Sequence, residues 1–234
     1  MSKEIKTTNY VEASGKVIGI GRDAFGNKRL VLFIRGYQQR KAIYASFAIS
    51  TNVQTEIKVG DRVNIKGHVV AYLYQNDLWR DRTNYIQYFV ADEIEKDLNQ
   101  IEKYFGVEGG FAYKDPFITI CLAGKIIHIR ENEKSNWVNF TIQVPNYRDR
   151  PNQVRLQYSK KMRVGQDVKI EEGDKVLIVA GMDSKRKEVN GETRTFEDFI
   201  IDDMIKAEGG FTVKRETEEG SSILGEMNLE QAEE

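Results

Sequence analysis

Cysteine is almost missing from this chain. A single residue, Cys121, among 234 excludes a disulfide framework. Two histidines, His68 and His128, are too few for a zinc cluster of the usual ligand types, so no metal and no other cofactor is expected. Long apolar runs are absent as well. The segment from Met1 to Ala13 is polar and lacks the apolar stretch of a secretion signal, and nothing approaches the roughly 20 residues that span a bilayer. The expectation is a soluble, cytoplasmic protein with no membrane partner. Catalytic signatures are missing too: there is no P-loop, no dinucleotide-binding glycine pattern, no histidine paired with a nucleophile and no carboxylate cluster with a local motif. The chain reads as a non-enzyme.

Net charge is small, at −1, but unevenly spread. Residues 215 to 234 hold seven glutamates against one arginine, a net −6, which leaves +5 on the rest of the chain. Residues 1 to 96 hold fifteen Lys and Arg against ten Asp and Glu, whereas residues 115 to 206 hold sixteen against fifteen. A basic first half, a nearly neutral second half and an acidic tail result.

What the chain has is a repeat. Gly15-Lys16-Val17-Ile18-Gly19-Ile20 recurs as Gly124-Lys125-Ile126-Ile127-His128-Ile129, Val59-Gly60-Asp61-Arg62-Val63 as Glu172-Gly173-Asp174-Lys175-Val176, and Phe89 to Ile94 as Phe199 to Met204. The offsets are 109, 113 and 110 residues, so one module is present twice. A fourth match, Glu108 to Phe111 with Glu208 to Phe211, is offset by 100 and marks an insertion of about ten residues before it. Alternation runs through each copy. Ile18 and Ile20 are assigned to the core with Ile127 and Ile129, and Leu30, Leu32 and Ile34 match Val138, Phe140 and Ile142. A third strand near Lys41 to Ala48, a fourth over Arg62 to Tyr74 and a fifth over Asn84 to Ala91 follow. The second copy has a loop from Pro145 to Pro151 and closes at Arg194 to Ile201. Asp92, Glu93, Asp202 and Asp203 are read as strand terminators facing water. Ile94, Leu98, Ile101 and Phe105 recur at helical spacing before Gly106 and predict a short linker helix.

Five short strands, glycines in the first and a Gly-Asp turn before the fourth resemble the OB-fold, a five-stranded Greek-key barrel; the competing fold is another small β barrel or sandwich. The resemblance implies an all-β chain of two tandem OB-folds. Module 1 covers 10–96, the linker 97–116, module 2 covers 117–206, and a disordered acidic tail covers 207–234.

Flexible, unpaired strands of nucleic acid need flat π surfaces for bases and cations for phosphates, and the outward positions supply both. Module 1 offers Arg22, Arg29, Phe33, Arg35, Tyr37, Arg40, Lys41 and Tyr44, followed by Tyr72, Tyr74, Trp79, Arg80 and Arg82. Module 2 offers Arg130, Trp137, Tyr147, Arg148, Arg150, Arg155, Lys185 and Arg186. Each has a bland alternative: Phe33 as a contact between modules, Tyr72 and Tyr74 as packing for the linker, Lys185 and Arg186 as a solvated hairpin tip.

OB-folds followed by an acidic C-terminal tail resemble replication-type single-stranded-DNA-binding proteins of bacteria and their phages. The resemblance implies single-stranded DNA as partner, in replication, recombination or repair. It also implies a tail that competes with DNA for the basic surface and docks replication or recombination proteins. Tails of that family often end in an aromatic residue, which Gln231-Ala232-Glu233-Glu234 does not provide. A structural or adaptor protein, for example in a viral particle, and an RNA-binding protein are the alternatives.

Overall fold

The computed structural model describes residues 8–23, 26–35, 42–75, 83–97, 117–131, 133–147, 150–160, 170–189, 192–206 and 210–214. Among them every regular element is a strand: β1 Asn9–Arg22, β2 Lys28–Arg35, β3 Ala42–Ile49, β4 Arg62–Gln75, β5 Thr83–Lys96, β6 Phe117–Glu131, β7 Trp137–Tyr147, β8 Arg150–Ser159, β9 Lys175–Val189, β10 Glu192–Lys206 and β11 Gly210–Lys214. Strand β1 pairs with β2 and β4, β2 with β3, β3 in parallel with β5, and β5 with β4, which closes a barrel. The second half repeats the order through β6, β7, β8, β10 and β9. Each half is therefore an OB-fold. The predicted linker helix falls outside the described residues.

One edge of β1 serves two partners in succession. Residues Asn9 to Ser14 pair with β6, and from Lys16 onward the same strand pairs with β2. Gly15 stands at the changeover, where a Cβ would lie 2.7 Å from the Phe33 carbonyl oxygen. Strand β6 switches from β1 to β7 at Gly124, whose added Cβ would lie 2.4 Å from the Gln143 carbonyl oxygen. The repeated glycine is thus the point at which each first strand leaves its twin and enters its own barrel.

The Gly-Asp turns are duplicated in detail. Gly60 and Gly173 adopt φ of 100° and 101°, a left-handed conformation that glycine alone takes without strain. Gly60 N–H donates to the Val17 carbonyl and Gly173 N–H to the Ile126 carbonyl. Asp61 accepts from Lys58 N–H and pairs with Lys96 at 3.0 Å, as Asp174 accepts from Glu171 N–H and pairs with Lys206 at 2.9 Å. The Lys58 N–H and Lys96 hold the Asp61 carboxyl below its ordinary range. Burial opposes the same effect at Asp174, where Lys206 and the Glu171 N–H prevail.

The alternation places Leu30, Leu32, Ile34, Val138, Phe140 and Ile142 in the core, as expected. The ladders correct their correspondence. Val17 pairs with Leu32 where Ile126 pairs with Ile142, so Leu32 matches Ile142 and Leu30 matches Phe140. A slip of two residues keeps every side chain on its face, and hydrophobic pattern cannot detect it. Ile18 and Ile20 are a second correction. A bulge at Ile18 shifts the register between Val17 and Gly19, leaving Val17 as the core residue and Ile18 and Ile20 exposed at 39% and 43%. Asp92 and Asp202 are bulge residues inside β5 and β10 rather than terminators. Those strands run on to Lys96 and Lys206, and Asp203 is buried. The loop expected over 145–151 is instead mostly strand, because β7 and β8 stay paired up to Tyr147 and Arg150. Residues 210–214, assigned to the disordered tail, form β11 along β10, where Phe211, Thr212 and Val213 favour extended backbone. The tail from 215 onward lies outside the described residues.

Candidate nucleic-acid interface

Equivalent strands β1 and β6 run antiparallel, with Val11 opposite its own counterpart Ile120. A pseudo-twofold axis therefore passes between the barrels at that pair. Phe89 and its counterpart Phe199 stack on the axis, with ring centres 5.0 Å apart and planes inclined by 15°. One hydrophobic core runs through both barrels.

The third strand of each barrel pairs with the fifth over only a short stretch, and the backbone groups beyond it are met by side chains of the other barrel. Ser46 N–H donates to Glu197 Oε1 at 3.3 Å, and Arg155 N–H donates to Gln87 Oε1 at 2.9 Å. The register makes Ser46 equivalent to Arg155, and Gln87 to Glu197, so these are two copies of one contact. Around them the copies diverge. Tyr85 adds a hydroxyl that accepts from Arg155 N–H at 2.9 Å and donates to the Gln153 carbonyl at 2.8 Å. Tyr44 N–H donates to Ser184 Oγ at 3.2 Å.

Between these contacts lies a cleft of about 850 Å3, lined by both barrels and within the size range of small-ligand sites. Tyr44, Tyr85 and Tyr88 supply aromatic faces, and Arg29 and Arg155 supply cations. The Arg155 guanidinium lies 3.8 Å from the Tyr85 ring centre and that of Arg29 lies 5.5 Å from the ring centre of Tyr88. Arg29 Nε is buried with no hydrogen-bond acceptor, its nearest carboxylate oxygen being Asp23 Oδ2 at 3.9 Å. Glu197 keeps a fraction of its surface in solvent, but protein surrounds most of it. Burial pushes its carboxyl up to about 7 against the opposing pull of Ser46 N–H and Arg29. Burial likewise raises the Tyr85 phenol, leaving it a neutral hydrogen-bonding group.

The structure gathers Arg29, Tyr44 and Arg155 in this cleft. Phe33 packs against Tyr44 at 5.6 Å, and Arg150 of the second barrel lies 5.7 Å from the ring centre of Tyr72 in the first. Several residues expected on separate outward faces thus meet at the seam. Arg22 caps the β1–β2 hairpin by donating to the Gly26 carbonyl at 2.6 Å. Arg130 and Trp137 are exposed on β6 and β7 and do not line the cleft, although Arg130 pairs directly with the lining residue Asn139. Arg35, Tyr74, Tyr147, Lys185 and Arg186 lie on strands placed by their backbone alone, and Tyr37, Arg40, Lys41, Trp79, Arg80, Arg82 and Arg148 lie outside the described residues. Sequence reasoning missed Tyr85, Gln87, Tyr88 and Glu197. The available signal was the repeat itself, because Gln87 and Glu197 stand two residues before Phe89 and Phe199.

The sequence matches no family model and no curated protein. In three dimensions the chain is similar to the wild-type single-stranded DNA binding protein from Thermus aquaticus, at a TM-score of 0.53 and 12% identity, over 86% of this chain and 93% of that one. A deletion mutant of the Thermus protein gives a TM-score of 0.49 and 11% identity over 87% and 96% of the two chains. The mitochondrial single-stranded DNA binding protein from S. cerevisiae aligns with 40% of this chain and 98% of its own, at 14% identity and a TM-score of 0.29. At these identities the likeness to the wild-type Thermus protein is one of fold.

Proposed function

We propose that this protein is a non-enzymatic, sequence-tolerant single-stranded-DNA-binding protein whose two OB-folds act as one body. The observation that carries this reading is the seam cleft, where Tyr44, Tyr85 and Tyr88 lie beside Arg29 and Arg155. Bases stack on the aromatic faces and the guanidinium groups neutralise phosphates, which requires no particular sequence. The excess of positive charge in residues 1 to 96 supports it, as does a fold shared with the Thermus aquaticus single-stranded DNA binding protein. The acidic residues beyond Lys214 compete with DNA for the cationic surface and are displaced when DNA arrives. Replication, recombination or repair in a bacterial or phage-infected cell is the setting, with partner proteins docking on the tail.

Titration of intrinsic tryptophan fluorescence with oligo-dT, at two salt concentrations, tests this for the full chain and for a version ending at Lys214. Salt-sensitive quenching that tightens without the tail is expected. Absence of binding by both chains overturns the reading.

An adaptor role is favoured by one observation. Val59, at 62% exposure, sits in the turn bonded to Val17, next to the exposed Ile18 and Ile20, and forms an apolar patch on the first barrel. The second barrel has Glu172 in place of Val59, accepting from Ile129 N–H at 2.9 Å. If no nucleic acid binds, that patch is where a protein partner should be sought.

A further inference from the structure

The pseudo-twofold axis predicts that the cleft's two halves be alike, and at four lining positions they differ in charge: Arg29 and Asn139, Gln87 and Glu197, Ser46 and Arg155, and Tyr88 and Asp198. The register makes the two members of each pair equivalent. One half offers the amides Asn139 and Gln87 beside Arg155, and the other offers a guanidinium from the first barrel and a carboxyl from the second; Asp198, the counterpart of Tyr88, adds a further carboxyl to the lining. The contact that holds the barrels together does not need this charge, because Gln87 makes the same bond to Arg155 N–H that Glu197 makes to Ser46 N–H. A carboxyl and an arginine with a buried, unmatched Nε have therefore been set facing one space, beside the Tyr44 and Tyr88 rings.

Resting on the single-stranded-DNA reading, we infer that this half of the cleft is a subsite for one guanine base, inserted between the barrels as the strand crosses the seam. Guanine presents adjacent N1–H and N2–H donors on one edge, which the Glu197 carboxyl accepts together once ionised, above about pH 7, and O6 and N7 acceptors that Arg29 takes in place of the phosphate it neutralises beside other bases. Thymine offers a single N–H donor and adenine no N1–H. Cytosine offers only its N4 amino group to the carboxylate. The aromatic faces hold any base, so general affinity is kept and a preference is added at one position of the bound strand.

The test uses the full chain above pH 7, where the Glu197 carboxyl is ionised, with fluorescein-labelled dT oligonucleotides of one length in which the central residue is dT, dG, dC or dA, read by anisotropy. The dG oligonucleotide is expected to bind about tenfold more tightly than all-dT, as one bidentate pair provides. In Glu197→Gln the ratio of dG to dT affinity falls to about one, while thermal melting shows that the variant is folded. Tight binding of all four oligonucleotides with equal affinity overturns the guanine subsite and leaves the single-stranded-DNA reading standing. An equal gain for dC overturns the assignment to guanine, and an undiminished dG preference in Glu197→Gln overturns the role of the carboxyl. Failure of every oligonucleotide to bind overturns the underlying function together with the subsite.

Discussion

At the Gly-Asp turn the two barrels agree nearly bond for bond, whereas at the seam the same strands carry different side chains. The turn builds the barrel: Asp61 with Lys96 and Asp174 with Lys206 clamp the fourth strand to the end of the fifth in each copy. The seam joins the barrels, and there Arg29 faces a carboxyl while Asn139 faces an amide in the related half. Duplication leaves the parts needed for folding alike and frees the parts that meet across the axis to diverge. The divergence marks the candidate interface more sharply than exposure does.

The axis can be broken most forcefully at its centre. Phe89→Ala and Phe199→Ala each remove one ring of the stacked pair, and each is expected to cost about 3–5 kcal/mol. Because one core serves both barrels, urea unfolding of either variant should remain a single transition by circular dichroism and tryptophan fluorescence together. Two separated transitions, or costs that differ widely, would show that the barrels fold independently.

A smaller effect tests an asymmetric tie. Asn152 is buried, accepts from Ala71 N–H at 2.7 Å and donates to the Val69 carbonyl at 2.9 Å, so the second barrel finishes a strand of the first. Its counterpart by register, Ile43, is plain core. Asn152→Ala leaves a buried N–H without its acceptor and should cost about 2 kcal/mol in the same urea assay, with the loss shared by both barrels.

Glu197 sharpens the comparison through pH. Its folded pKa of about 7 lies above the ordinary 4.5, so the folded chain retains a proton that the unfolded chain has released. The resulting stabilisation is full below about pH 4.5 and is lost as pH rises through 7, by an amount on the order of 2 kcal/mol. Urea midpoints measured across this window should fall for the wild type, stay level for Glu197→Gln and fall more steeply for Gln87→Glu. Equal slopes in the wild type and Glu197→Gln would remove the carboxyl from the seam.

The contrast between turn and seam also explains what could be read from the sequence. Two OB-folds were legible because alternation and the Gly-Asp turn are local signals, each given twice. Their detail was not. The two-residue shift of β2 against β7 preserves the pattern, and the bulge at Ile18 reverses the phase of β1 without any change in composition. The Phe211 to Val213 segment was lost to the composition of the tail that follows it, although it pairs with β10. Of the site, Arg29, Tyr44 and Arg155 were found as cations and aromatics on outward faces. That these faces turn toward each other depends on β1 pairing with β6, a contact about 109 residues apart with no local signature. For the same reason Gln87 and Glu197, polar residues next to a repeated phenylalanine, looked like ordinary strand positions.

The central claim is that a strand of DNA crosses the seam between the barrels, and the salt dependence of binding tests it most directly. With oligo-dT, the logarithm of affinity should fall linearly with that of salt, at a slope of about −0.7 for each phosphate neutralised. In the double variant Arg29→Gln/Arg155→Gln the slope should become shallower by about 1.4, since two phosphate contacts are removed. A wild-type slope retained by the double variant would place the DNA elsewhere on the protein and contradict the account.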